Sequence, residues 1–253
     1  MSLIRNTYEK IERLLSGSDY KVISNRLGTF CIPYNTPKCP ICKTIRKGEI
    51  HSEYVLNMLK PYIRGGSTIV DVGANLGVLS VEFARQLGSA GGGTVVAIEA
   101  NQIIYDLLKR NLSSNCPPDV KMMPMYCACT DVDGGVMEFP EPDIQKGKTF
   151  TSYGSFGLKT GPSTGKSFTV EAVTIDSLKL SDVSCIKIDV EGFDLKAMMG
   201  ARETMLREKC AVVFEYGAGS NEENTFDEYE AFIKEINYKI VGQEKTDYLI
   251  VPQ

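Results

Sequence analysis

Histidine is almost missing from this chain: among 253 residues His51 is the only one, so any imidazole base would have to be that residue. A lone histidine near a helix start is more often a cap or a surface residue. Long apolar runs are missing too. No stretch approaches the roughly 20 apolar residues of a membrane-spanning helix, and the charged, amphipathic segment from Met1 to Lys21 does not read as a secretory leader. A soluble, cytoplasmic protein is expected. An excess of positive charge is also lacking: the net charge of −4 and the pI near 5.3 disfavour a dedicated nucleic-acid binder, although a local basic groove stays open. No internal repeat appears. Nor is there a second Cys-x-x-Cys knuckle beside Cys39-Pro-Ile-Cys42. With Cys31 upstream and His51 downstream, that one knuckle leaves a structural zinc site, a redox pair and a plain proline-containing turn all open. Four of the eight cysteines, Cys127, Cys129, Cys185 and Cys210, lie in apolar strand-like runs and read as reduced, buried thiols.

What the chain does have begins at Thr68-Ile-Val-Asp-Val-Gly-Ala-Asn-Leu-Gly77. An apolar run ends at Asp71, a glycine-spaced turn follows, and Val78 to Leu87 carries apolar residues at helical spacing, which predicts strand, tight turn and helix. The next strand, Val95-Val-Ala-Ile-Glu99, ends in an acid that can accept both hydroxyls of a ribose. The spacing Asp-x-Gly-x-x-x-Gly differs from the Gly-x-Gly-x-x-Gly that seats a dinucleotide pyrophosphate on a helix N-terminus. An anionic Asp71 also suits a cationic ligand better than a diphosphate. S-adenosylmethionine, with its sulfonium, ammonium and ribose, is such a ligand. A nicotinamide-dependent dehydrogenase is disfavoured by the same spacing.

Strands are expected near Ile69 and at Thr94 to Glu99, Lys121 to Cys127, Ser184 to Asp189 and Ala211 to Tyr216, with helices near 49 to 62, 78 to 87, 101 to 112 and 193 to 206. This alternation implies an α/β fold with a mainly parallel sheet and helices on both faces. Before the core, Leu3 to Leu15 reads as a helix and Tyr20 to Ile32 as a hairpin turning near Asn25. Residues 1–48 are therefore expected to form an N-terminal helix/hairpin appendage on the substrate side, and residues 49–253 the catalytic domain. Between the third and fourth core strands, Glu141 to Lys166 is rich in Gly, Pro, Ser, Thr and Lys, and so reads as a long functional loop.

A second constellation lies in Cys185-Ile-Lys-Ile-Asp-Val-Glu-Gly-Phe-Asp194. Strands buried on both faces are normally apolar throughout, so Lys187 and Asp189 there need a reason. Ligands bind outside the carboxyl ends of such strands, where Asp189 and Glu191 are expected. Either could cap the following helix. Alternatively they could serve as the general base for a hydroxyl nucleophile, or ligate a divalent metal that acidifies it. Lys187 reads as a base if neutral, or as a charged partner that orients Asp189. Glu215, ending Val212-Val-Phe-Glu-Tyr216, would face the same crevice or stand exposed at the strand end. Glu49 and Glu53 are candidates to reach a cofactor ammonium.

Taken together, Asp71-Val-Gly-Ala-Asn-Leu-Gly77, Glu99, Thr174-Ile-Asp-Ser-Leu178 and Ile186-Lys-Ile-Asp-Val-Glu-Gly192 resemble the FkbM family of S-adenosylmethionine-dependent methyltransferases, over roughly residues 50 to 216. The resemblance implies a class I, Rossmann-like methyltransferase fold with a seven-stranded sheet, acting on oxygen, commonly hydroxyls of sugars, glycolipids or natural products. By that resemblance Asp71, Gly73, Asn75 and Gly77 would line the methionine portion of the cofactor, Glu99 would take the ribose, and the strand end at Ala128 and Cys129 would approach the adenine. The expected partner is a small-molecule or glycan acceptor rather than nucleic acid. A non-catalytic binding module that retains the fold is the competing reading.

Overall fold

Alternating strands and helices build the sheet that the apolar pattern predicts. The computed structural model describes residues 20–34, 36, 39–142, 163–190, 192–217 and 224–253. Twelve strands are present among them: β1 (Tyr20–Asn25), β2 (Gly28–Pro33), β3 (Thr68–Val72), β4 (Gly93–Glu99), β5 (Val120–Tyr126), β6 (Ala128–Cys129), β7 (Gly135–Pro142), β8 (Ser163–Val173), β9 (Val183–Ile188), β10 (Ala211–Glu215), β11 (Tyr238–Glu244) and β12 (Asp247–Pro252). The helices are α1 (Pro40–Lys47), α2 (Glu53–Leu59), α3 (Val78–Ala90), α4 (Gln102–Asn115), α5 (Asp194–Met199), α6 (Arg202–Glu208) and α7 (Phe226–Glu235).

Seven strands form one sheet in the order β11-β12-β10-β9-β3-β4-β5. The pairs from β5 through β10 are all parallel, and β12 runs antiparallel to both of its neighbours. The chain order reverses direction between β3 and β9, and in an open α/β sheet that switch point is where a ligand crevice opens beyond the strands' carboxyl ends. A three-stranded sheet, β6-β8-β7, and the β1-β2 hairpin complete the architecture. Helices cover both faces of the main sheet. Val70, Val96 and Ile186 face one buried cluster with Leu195 and Met198, while Ile69, Val95 and Cys185 face another with Phe83 and Leu87. This period-two division explains why these strands read as unbroken apolar runs.

Several local expectations are corrected. The segment 49 to 62 is not one helix: α1 ends at Gly48 in a left-handed cap, and α2 passes into a 3-10 turn over Lys60–Tyr62, where Pro61 lacks an amide hydrogen. The helix expected over 193 to 206 divides into α5 and α6. Asp176 causes the division, because its amide donates to the Gly200 carbonyl at 2.9 Å while its carboxylate accepts from the Glu203 and Thr204 amides at 2.9 and 2.7 Å, capping α6 from a distant segment. The supposed loop from 141 to 166 begins and ends as strand, since β7 and β8 pair from Gly135↔Ala172 out to Pro142↔Ser163. The expected helix at Leu3 to Leu15 lies outside the described residues. Among those described, no helix is long and apolar enough to cross a membrane.

The N-terminal hairpin and α1 pack onto the glycine-loop side of the sheet. Phe30, Ile32, Cys39, Cys42 and Ile45 share one buried cluster with Ala74, Leu76, Val78 and Leu108. Cys39 is the N-cap of α1, its sulfur accepting from the Cys42 amide at 3.4 Å. The hydrogen bond with Cys39, together with burial, raises the Cys42 thiol above its ordinary pKa. All eight cysteines are free thiols, and only Cys116 is exposed.

Candidate active site

The turn after β3 is built by backbone conformations that few residues accept. Gly73, Asn75 and Gly77 have φ of 73°, 52° and 81°, in the left-handed region. A Cβ on Gly73 would stand 1.9 Å from the Asp189 carbonyl oxygen, so glycine here lets the turn close against the end of β9. At Gly77 a Cβ would meet Leu108 Cδ1 at 2.7 Å, which makes that residue a contact between the start of α3 and α4. The Asn75 side chain accepts from the Leu76 amide at 2.9 Å and fixes the turn locally.

Behind this turn lies a buried ion pair. Parallel pairing sets Asp71 opposite Lys187, and Lys187 Nζ stands 3.2 Å from Asp71 Oδ1 and 3.5 Å from Asp189 Oδ2. It also donates to the Val72 and Gly73 carbonyls at 3.2 and 2.9 Å. Ser80 Oγ, from the first turn of α3, donates to Asp71 Oδ2 at 2.5 Å. Burial alone would pull the Lys187 pKa down, but the charges of Asp71 and Asp189 outweigh it and raise the pKa above the ordinary lysine value. Lys187 is therefore an ammonium whose nearest partner is Asp71, with Asp189 second. Asp71 is fully buried, whereas the Asp189 side chain is 41% exposed.

Glu99 joins the turn to the next strand. Its Oε2 accepts from the Asn75 amide at 2.9 Å and its Oε1 from the Asn101 amide at 2.8 Å. Burial raises its pKa, opposed by those two amides and the Lys187 charge. A carboxylate has about four acceptor sites, so the two backbone bonds leave some of its acceptor capacity unused. Beside it the buried Asn101 Nδ2 has no hydrogen-bond partner.

The crevice at this switch point is lined by Gly73, Ala74, Asn75, Leu76, Val78 and Leu79 from the turn and α3, by Lys187 and Asp189 from the end of β9, and by Ile41, His51, Ser52 and Val55 from α1, α2 and their connection. Thus Gly73, Asn75, Lys187 and Asp189 come together. Glu99 reaches the crevice through the Asn75 amide, and Asp71 supports it from behind through Lys187. Ala128 and Cys129 are buried in β6, where their backbones pair with Ala172 and Val173, and burial holds the Cys129 thiol well above its ordinary pKa. Glu191 lies outside the described residues. Glu215 accepts from Thr246 Oγ1 at 3.1 Å. Glu49 pairs with Lys47 at the surface and Glu53 is exposed, so neither lines the crevice. Among the described residues no three His, Cys, Asp or Glu side chains gather as a metal site.

Two contributors escaped the sequence reading. Ser80 holds Asp71, and its signal was a hydroxyl in the first turn of the helix after the glycine loop. Apart from His51, the wall formed by Ile41, Ser52 and Val55 had no local signal, because its members face the crevice only once α1 and α2 dock.

The family model for the methyltransferase FkbM domain matches residues 71–240. No curated protein matches the sequence. Among solved structures, the methyltransferase FkbM from Methylobacillus flagellatus KT is similar at 16% identity and a TM-score of 0.48, over 83% of this chain and 52% of that one. This chain thus spans about half the length of that protein. The magnesium protoporphyrin IX methyltransferase of Synechocystis PCC 6803, with bound SAM, is similar at 11% identity and a TM-score of 0.46, over 85% of this chain and 84% of its own. A 16S rRNA methyltransferase of T. thermophilus, in complex with AdoMet and guanosine, is similar at 12% identity and a TM-score of 0.45, covering 93% and 51%.

Proposed function

We propose that this chain, which belongs to the methyltransferase FkbM domain family, transfers a methyl group from S-adenosylmethionine to a hydroxyl oxygen, the acceptor being a sugar, glycan or related natural product. The observation that carries this reading is the convergence of three strand ends: the left-handed turn after β3, Glu99 closing β4 and the charged end of β9. Bound there, the cofactor would supply an electrophilic methyl carried on a sulfonium. Glu99 would accept from the ribose with the lone pairs that the Asn75 and Asn101 amides leave free. Gly73, Asn75 and the backbone of the turn would hold the methionine portion. Lys187, fixed by Asp71 and by two backbone carbonyls, would keep the end of β9 in register with that turn.

Hydroxyl acceptors are favoured by the charge of the crevice. A neutral hydroxyl is a poor nucleophile until its proton has somewhere to go, and Asp189 supplies a half-exposed negative charge beside the turn that would take the proton or stabilise the group that does. Residues 1–48 and 141–166 are the proposed acceptor side of the cleft, since segments carried on a rigid scaffold are where substrate contacts concentrate.

Calorimetry with S-adenosylmethionine, S-adenosylhomocysteine and NAD tests the cofactor assignment. Only the first two should bind, and Glu99→Ala should weaken them by about 1.5–3 kcal/mol, the range for hydrogen bonds to a charged group. An unchanged dissociation constant in that variant removes Glu99 from the ribose role. Labelled S-adenosylmethionine with a panel of glycans then tests the acceptor class, and label appearing only on nitrogen or carbon would overturn it.

A further inference from the structure

We propose that His51 is the proton acceptor of the transfer step, with Asp189 as the carboxylate that stabilises its protonated form. The inference rests on the methyltransferase reading above and adds to it the residue on which the hydroxyl proton lands.

His51 is the only imidazole in the chain, and it lines the crevice together with Gly73, Asn75, Lys187 and Asp189. Its backbone position is strongly constrained. The next residue, Ser52, starts α2 with φ of 53° and no side-chain cap bond, and a left-handed serine persists only where surrounding structure imposes it, often at functional sites. Two residues further on, Tyr54 Oη donates to Asp247 Oδ2 at 2.6 Å, and the Lys245 ammonium sits 4.2 Å from the centre of the Tyr54 ring. The connection that carries His51 is thereby tied to the turn between β11 and β12.

The charged groups that act on the imidazole are Lys187 and Asp189, at and just beyond the end of β9 and lining the same crevice, and Lys245 from that turn. Burial lowers its pKa below the ordinary value, Asp189 opposes this, and Lys245 and Lys187 reinforce it. The ring is consequently neutral at pH 7 and has a lone pair to offer. An imidazole, ordinarily titrating at about 6.5, is better matched to a hydroxyl proton near neutral pH than a carboxylate is. In the step proposed, the acceptor oxygen bonds to the methyl carbon as the carbon–sulfur bond breaks, the electron pair of that bond remaining on sulfur. The hydroxyl proton passes to a ring nitrogen of His51, which leaves an imidazolium opposite Asp189 and a neutral thioether product.

Because His51 is the one histidine of this sequence, its ring-proton resonances need no assignment by mutation. Asp189→Asn should move the His51 titration to lower pH, since it removes the one neighbour that raises the pKa, and S-adenosylhomocysteine should perturb the same resonances. In turnover with S-adenosylmethionine and a panel of methyl glycosides, His51→Gln should lower the rate by about 100-fold to 10,000-fold while S-adenosylhomocysteine affinity stays unchanged. The acid limb of the pH–rate profile should vanish in His51→Gln and shift to lower pH in Asp189→Asn. A His51 titration indifferent to Asp189→Asn, or a His51→Gln variant that keeps its rate and acid limb, overturns the proposal and leaves Asp189 as the base. If the chain binds no S-adenosylhomocysteine, the methyltransferase reading itself has failed.

Discussion

Lys187 shows how one residue can serve both fold and site. Its ammonium is buried, touches two carboxylates and two carbonyls, and holds the end of β9 against the turn after β3. Removing one partner of such a pair leaves the other charged and unsolvated, which costs about 3–5 kcal/mol, whereas replacing both by apolar groups is often close to neutral. Lys187→Met should therefore destabilise the chain strongly in urea titrations, and Asp71→Leu/Lys187→Met should regain most of that loss. Cofactor affinity should not return in the double variant, because the bonds to the Val72 and Gly73 carbonyls are still missing. Recovery of both properties together would mean that Lys187 has no part in shaping the turn.

Among the elements, α4 does two jobs. Its N-terminus stands beside Glu99, where Asn101 caps it by accepting from the Ile103 and Ile104 amides. Its other end closes the open edge of β2. Asn111 accepts from the Cys31 amide at 2.6 Å and donates to the Cys31 and Leu76 carbonyls at 3.1 and 2.9 Å, and one turn later Asn115 makes the same paired contacts with Thr29 at 3.0 and 2.8 Å. Two side-chain amides thus stand in for a neighbouring strand, satisfying an edge that would otherwise invite pairing with another chain. Asn111 is fully buried, so Asn111→Ala should cost about 1–3 kcal/mol for each backbone group left unpaired. Asn115→Ala, in a partly exposed site, should cost less. Equal midpoints for the two variants in denaturant unfolding would show that the hairpin detaches at little cost.

At the scale of the molecule, the cofactor side and the proposed acceptor side differ in how they are held. The turn after β3 shares one buried cluster with α4, the N-terminal hairpin and α1, so the N-terminal part of the proposed acceptor side also supports the cofactor turn. The β7-β8 hairpin is anchored by its own pairing, by β6 and by the stacked rings of Phe139 and Phe168 at 5.4 Å. Deleting residues 145–165 should therefore spare S-adenosylhomocysteine affinity, measured calorimetrically, while abolishing methyl transfer. Simultaneous loss of affinity would make that segment part of the scaffold.

Much of this was legible in the chain because the relevant signals are local. The apolar run to Asp71, the glycine-spaced turn at 73 and 77, the acid ending β4 and the charges in an otherwise apolar β9 each fall within about ten residues, and strand, turn and helix preferences act over that distance. Partner choice was not legible. Lys187 neighbours Asp189 in sequence, yet parallel register sets it opposite Asp71 and brings Asp71 nearer. Asp176 caps a helix that begins 26 residues later, a contact with no periodic signature. His51 looked like a helix-start residue, and only the docking of α1 and α2 turns it to the crevice. Sequence by itself determined the five parallel core strands, the glycine loop and the acidic strand ends, because backbone preference and hydrophobic period are properties of neighbouring residues. The tertiary structure decided which charges pair and which side chains share the crevice, because those depend on register and packing between segments far apart in the chain.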